Sequence, residues 1–247
     1  MSDSVRAKKH LGQHFLHDDR IAARIVAQLQ AAAPLAVLEI GPGMGILTRH
    51  LIARGLPLTA LEIDPESIAY LMQHHPDGVE VLQADILKHR LPELPQAWIG
   101  NLPYHISSPI LFRLLAHRAW VQEGVFMLQK EVAKRIASGP GSKEYGILSV
   151  LLQYYYELKY AFSVPAGAFA PPPKVQSGVI RLVRRQQPDE LPLEPLARVV
   201  KAAFAQRRKM LSNTLKNQPL LLPEGWGNRR AESLSVAEFA LLARQLG

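Results

Sequence analysis

Five short apolar runs follow one another between residues 36 and 129 of this chain. They are AVLEI (Ala36–Ile40), LTALEID (Leu58–Asp64), VEVLQAD (Val79–Asp85), AWIGN (Ala97–Asn101) and GVFMLQ (Gly124–Gln129). Helical patterns lie between them: ILTRHLIARG ending at Gly55, a stretch opening at Pro65, and another around Ile106–Leu115. Runs so short and so apolar predict strands buried on both faces, and the helices between them predict a parallel sheet covered on both sides. An amphipathic helix is expected before the first strand, where Asp18 and Asp19 precede Ile21, Ile25 and Leu29 at i, i+4, i+8. Two later β-rich runs, LLQYYYELKYAFSV and SGVIRLV, are expected to complete the sheet as a hairpin. The predicted fold class is therefore α/β, a doubly wound sheet. Ligands of such sheets bind at the carboxyl ends of the strands near the switch point, so the chemistry belongs just after strands one to four.

Composition narrows the chemistry. The 247 residues include no cysteine, which excludes disulfides, thiolate metal sites and a cysteine nucleophile. Charged residues interrupt every apolar stretch before the ~18 residues of a membrane span, and no apolar segment follows the basic residues of MSDSVRAKKHLGQHFL. We expect a soluble, cytoplasmic, monomeric protein with no membrane partner and no metal. The net charge of +8 is unevenly placed: Arg181–Gly247 has 12 basic and 6 acidic residues, against 17 and 15 in the rest. A nearly neutral body thus precedes a basic tail, with RRQQPDELPLEP (Arg184–Pro195) reading as the linker. The expected domains are residues 1–185 and 186–247.

After the first strand stands Glu39-Ile-Gly41-Pro-Gly43-Met-Gly45. Glycines let a backbone turn sharply and approach a ligand without Cβ interference. A dinucleotide loop needs G-x-G-x-x-G, but the position three after Gly43 is Ile46. E-x-G-x-G-x-G resembles instead motif I of methyltransferases that use S-adenosyl-L-methionine (SAM), a donor without phosphate. Glu62 ends the second strand, where a carboxylate can accept from two ribose hydroxyls. Asp85 ends the third and could accept from an adenine amine.

The fourth strand runs into Asn101-Leu102-Pro103-Tyr104. This resembles the (N/D/S)-P-P-(Y/F/W) motif of methyltransferases acting on exocyclic amines of bases. Such an amine is a poor nucleophile because its lone pair is delocalised into the ring. The Asn101 oxygen and a backbone carbonyl beside Pro103 can accept its two N–H bonds and turn the lone pair towards a sulfonium methyl. Tyr104 would stack on the extruded base. Extrusion costs a few kcal/mol and one aromatic stack returns roughly 1–3 kcal/mol, so a second face is wanted, and Phe169 is the candidate.

Across nearly its whole length the chain is similar to the KsgA (RsmA) family of ribosomal RNA adenine dimethyltransferases. The resemblance rests on Gly12-Gln13-His14-Phe15-Leu16, on Glu39–Thr48, on NLPYHIS (Asn101–Ser107) and on FMLQKEVAK (Phe126–Lys134). FAPPPKV (Phe169–Val175) and AFAQRRKMLSNTL (Ala203–Leu215) complete it. It implies a Rossmann-like SAM-methyltransferase fold with a small helical C-terminal domain. It also implies dimethylation of N6 of two adjacent adenosines near the 3′ end of 16S rRNA, in the 30S subunit or its precursor, late in assembly. Carried over by position, His14, Leu16, Gly41, Gly43, Glu62, Asp85 and Asn101 would contact SAM, with Asn101, Pro103, Tyr104 and Phe169 at the reacting base. His14 departs from the family's usual Asn. If that contact is made by backbone, the change is harmless; if by the side-chain amide, only one orientation and tautomer of His could mimic it.

In the tail, Leu196, Val199, Val200, Ala203, Phe204, Met210, Leu211 and Thr214 form one face of a helical pattern, and Arg198, Lys201, Arg208, Lys209, Ser212 and Lys216 the other. Such a basic stripe suits an RNA backbone. Arg207 would point into the apolar face, so either the chain breaks near Gln206 or Arg207 pairs against the catalytic body. Arg207, Arg208 and Lys209 are the RNA-binding candidates. Three alternatives stand beside this reading: the Erm family acting on large-subunit rRNA, a DNA adenine methyltransferase, and a non-catalytic assembly or transcription factor.

Overall fold

The structure is a computed structural model that describes residues 5–30, 35–75, 77–187 and 189–246. Its elements in chain order are β1 (Phe15–Leu16), α1 (Asp19–Val26), β2 (Ala36–Ile40), α2 (Ile46–Ile52), β3 (Leu58–Glu62), α3 (Pro65–His74), β4 (Glu80–Gln83), β5 (Gln96–Asn101) and α4 (Ser107–Ala116). There follow β6 (Val121–Gln129), α5 (Lys130–Ala137), α6 (Ile147–Tyr155), β7 (Tyr156–Val164), β8 (Phe169–Ala170), β9 (Ser177–Arg184), α7 (Leu193–Phe204), α8 (Leu211–Thr214) and α9 (Val236–Ala243). The chain divides into two compact units, Met1–Ala133 with Lys159–Val183, and Lys134–Leu158 with Arg184–Gly247.

The sheet has seven strands in the order β4-β3-β2-β5-β6-β9-β7. Strands β4 to β6 are parallel, and β9 runs antiparallel to β6. The chain steps outward from β2 to β4 and then returns to lay β5 on the other side of β2. The switch point therefore lies between the carboxyl ends of β2 and β5, where a doubly wound sheet opens a crevice. Gly100 lets these two strands meet, since a Cβ there would collide with the Ile40 carbonyl. The helices start where the chemistry of their first residues dictates. Asp18 Oδ1 accepts from Ile21 N–H at 3.1 Å, and Asp64 caps α3 ahead of Pro65. The core beneath includes Ile25, Leu29, Val37, Leu51, Ile99, Val125 and Met127.

Three features differ from expectation. LLQYY is helical, because Leu151, Leu152, Tyr154 and Tyr155 of α6 are all buried, and a helix apolar on every side has no period to read. Only its continuation, β7, is a strand, and it neighbours β9. A second, two-stranded sheet pairs Phe15 with Ala170 and Leu16 with Phe169. The supposed linker is tied down: Tyr155 Oη donates to Leu191 O at 2.9 Å, Leu191 N–H donates to Tyr154 Oη at 3.0 Å, and Leu191 is buried. Pro188 of that stretch lies outside the described residues. The second unit thus takes in more than residues 186–247, because α6 supplies apolar surface to α7 and α9 within it. Its aromatic centre is Tyr145 edge-on to Phe204 (6.1 Å), itself stacked on Phe239 (5.7 Å).

Candidate active site

Where β2, β3 and β5 end, their loops and the N-terminal segment enclose a cavity of about 270 Å³. Gly41, Gly43, Glu62, Asp85, Asn101, Pro103, Tyr104, His14 and Leu16 all line it. Gly41, Gly43 and Gly45 have φ of 66°, 58° and 77°, which L side chains rarely adopt. A Cβ on Gly43 would stand 2.9 Å from the Phe15 ring, whereas one on Gly41 would meet no protein atom within 4 Å. The Glu62 carboxylate locks this loop to the end of β3. Its Oε2 accepts from Gly43 N–H at 3.1 Å, and its Oε1 from Ile63 and Asp64 N–H at 2.8 and 3.0 Å. Burial raises its pKa despite those donors. Asp85, two residues past β4, accepts from Leu87 N–H at 2.9 Å and stays partly exposed. Glu39 is buried; Thr48 Oγ1 donates to its Oε2 at 2.7 Å, while Oε1 has no partner among the described residues.

The N-terminal segment is held across this crevice. Lys8 Nζ pairs with Asp64 and with Glu66, and Gln13 Nε2 donates to Asp64 Oδ2 at 3.2 Å. Further along, Asn101 Nδ2 donates to the His14 carbonyl at 3.0 Å. A carbonyl only accepts, so this bond fixes the Asn101 amide with Nδ2 towards His14 and leaves Oδ1 as the outward acceptor. The His14 ring stacks on Tyr104 (5.7 Å, 29°), and its Nδ1 lies 2.8 Å from Pro171 O, which makes Nδ1 the donor. Tyr104 Oη is 2.7 Å from Ser177 Oγ.

Phe169, the candidate for the second aromatic face, does not line the cavity. It is 2% exposed, forms the β1–β8 pair with Leu16, and belongs to the apolar core, where its burial gains more than an exposed ring could. The ring beside Tyr104 is His14. Sequence reasoning assigned no part to Ser177, Lys8 or Asp64, because each acts through a contact between distant stretches that no local pattern announces.

In the second unit the basic residues separate. Helix α7 ends at Phe204, so the basic stripe does not lie on one continuous helix face. Arg207 sits in the turn after it and donates to Lys143 O at 2.6 Å and Tyr145 O at 2.9 Å, with Glu232 at 3.7 Å. Both possibilities for Arg207 are thus met in part: the chain breaks, and the guanidinium pairs, with backbone that packs in this unit. Arg208 and Lys209 stand exposed on the same turn. Met210, expected on the apolar face, is 44% exposed, because its backbone bridges to Arg230.

Among the described residues no group of three or more His, Asp or Glu could hold a metal, and no helix is long and apolar enough to cross a membrane. A switch-point cavity with a turn of three glycines and a buried carboxylate at the end of the next strand suits a nucleoside donor. The fold and cavity define a SAM-dependent methyltransferase. Within that class, residues 4–240 match the family model of the ribosomal RNA adenine dimethylases, and the chain belongs to that family. Its relatives include "Ribosomal RNA small subunit methyltransferase A" of Porphyromonas gingivalis, 48% identical over 96% of both chains. The same-named protein of Cytophaga hutchinsonii is 47% identical over 99% of this chain and 98% of that one. Among solved structures, a dimethyladenosine transferase from Plasmodium falciparum has the same fold (TM-score 0.82, 24% identity, 93% and 96% of the two chains). The 23S rRNA methyltransferase ErmE gives a TM-score of 0.73 at 28% identity, over 94% and 99%.

Proposed function

We propose that this chain dimethylates N6 of two adjacent adenosines near the 3′ end of 16S rRNA, on the 30S subunit or its precursor, late in assembly and in the cytoplasm. Relatives at 43–48% identity bear the small-subunit name, which favours this substrate over the large-subunit RNA named for ErmE. SAM supplies a methyl group on a sulfonium. Gly41 and Gly43 give it close backbone approach, Glu62 receives its ribose hydroxyls, Asp85 its adenine amine, and His14 and Leu16 close the cavity from the N-terminal segment.

The observation that carries the reading is the fixed amide of Asn101. With Nδ2 held by the His14 carbonyl, Oδ1 can only accept, and an amine N–H is the group that satisfies it. A second acceptor is a backbone carbonyl beside Pro103. Two acceptors set before the reaction draw the amine nitrogen towards tetrahedral geometry and stabilise the positive charge it gains. Tyr104 and His14 together wall the base. Because His14 reaches Asn101 through its backbone, the exchange for Asn leaves that contact intact, and a His14→Asn variant should bind SAM within about tenfold of the parent, inside what one hydrogen bond contributes. In the second unit, Arg208 and Lys209 bind phosphates, whereas Arg207 holds the turn that presents them.

The test is transfer of tritiated methyl to 30S particles lacking dimethyladenosine. Asn101→Ala should lower the rate by about a hundredfold or more while retaining SAM, the size of losing one preorganised dipole. Equal rates would refute the role of Asn101, and methylation of naked 23S RNA in preference to 30S would refute the substrate.

A further inference from the structure

Tyr104 lies on a loop, yet it is held at backbone, ring face and hydroxyl. Its carbonyl accepts from Ser107 Oγ at 3.1 Å, one face of its ring meets His14, and its hydroxyl meets Ser177 Oγ at 2.7 Å. Ser107 fixes only the backbone. His14 limits the ring's tilt but permits it to slide in its own plane. The hydroxyl bond is the hydrogen bond that holds the far end of the ring.

Ser177 is well placed to hold it. It is the first residue of β9, fully buried, and paired with Gln129 at the carboxyl end of β6. A side chain with one rotatable bond on such a strand transmits the position of the sheet to whatever it grips. Among the described residues Ser177 Oγ has no other hydrogen-bond partner. We infer that Ser177 is a positioning residue for methyl transfer, holding the Tyr104 ring at the place where the extruded base must stack. Burial also keeps the Tyr104 hydroxyl protonated, so the bond persists across the working pH range. This inference rests on the reading that Tyr104 walls the target base.

The experiment compares Ser177→Ala, Tyr104→Phe and the double variant on dimethyladenosine-free 30S particles, with single-turnover rates and SAM affinity measured for each. Each single change deletes the same bond, so each should slow methyl transfer by about five- to tenfold while SAM affinity moves less than about twofold, and the double variant should be no slower than either. Multiplying losses in the double variant, a wild-type rate in Ser177→Ala, or SAM affinity falling in step with rate would each overturn the inference. If Ser177→Ala does not fold, Tyr104→Phe decides alone: a wild-type rate overturns the inference, and a slower rate at unchanged SAM affinity supports it. Tyr104→Ala separates this inference from the reading beneath it. If that variant keeps full activity, the stacking role itself fails; if it is inactive while Ser177→Ala and Tyr104→Phe both keep the wild-type rate, only the part given to Ser177 fails.

Discussion

Replacing Glu39 by Gln should change how the stability of this protein responds to pH. Glu39 is 1% exposed, and burial pushes its pKa up to about 8, with the nearby Glu62 charge acting in the same direction and the Thr48 bond against it. At neutral pH the folded chain therefore carries a protonated acid there, whereas the unfolded chain ionises near its ordinary value of 4.5. Between those two values the folded state holds one proton more than the unfolded state. A folded pKa raised above the unfolded one means stability present below the lower value and lost as pH rises through the upper one, at about 1.4 kcal/mol per pH unit. From about pH 5.5 to about pH 7.5 the parent should lose on the order of 2–3 kcal/mol through this group. Gln has the same shape and can still accept from Thr48, but it does not titrate. Urea unfolding of SAM-free protein at three pH values across that range, for parent and Glu39→Gln, reads this group together with its coupling to Glu62, because titrations that do not interact with Glu39 cancel in the difference. The gap should widen in favour of the variant as pH rises. Parallel stability curves would refute the argument that Glu39 is neutral in the folded protein.

Three further outcomes are expected. Gly43→Ala forces a left-handed residue and a Cβ against Phe15, so it should destabilise by about 1–3 kcal/mol and weaken SAM binding by tenfold or more, read by urea unfolding and calorimetry. Replacing Arg208 and Lys209 together should flatten the log–log salt dependence of 30S binding by roughly 0.7–0.9 for each phosphate no longer neutralised; Arg207→Ala should instead lower the melting temperature, because its donors satisfy backbone carbonyls. Glu238 is pushed down to about 2 by its hydrogen bond to Arg229, so its contribution is present above pH 4.5 and lost as pH falls towards 2. Glu238→Gln should remove that acid-side decline, about 1 kcal/mol once solvent screening is allowed for, in melts recorded from pH 5 downward.

What the sequence made legible was whatever repeats along it. Strands β2 to β6 follow their apolar runs within a few residues, and the glycine loop, Glu62 and Asn101 fall at the switch point because strand order follows from the alternation of elements. Contacts between distant stretches were not legible. β1 and β8 are two residues each, too short for any period, yet they decide that Phe169 is core and that the partner ring of Tyr104 is His14. The buried helix α6 reads as a strand because all-round apolarity hides a 3.6-residue period. Arg207 violates the face of a continuous helix, and that misfit was itself a usable signal of the break after Phe204.

The order of strands also sets when the contacts of this site can be completed as the chain is made. Ribosomes release the chain from its N-terminus, so β2 to β6 emerge first and in the order in which they pair. Strand β9, however, takes the place between β6 and β7, and 157 positions separate His14 from Pro171, whose carbonyl it meets. The N-terminal segment can bond to Asp64 and Asn101 early, but the His14 ring must wait for Pro171 and the Tyr104 hydroxyl for Ser177. Long-range pairing of this kind is slow to form and late to contribute. A nascent chain thus carries a nearly finished sheet before the last contacts around His14 and Tyr104 can form.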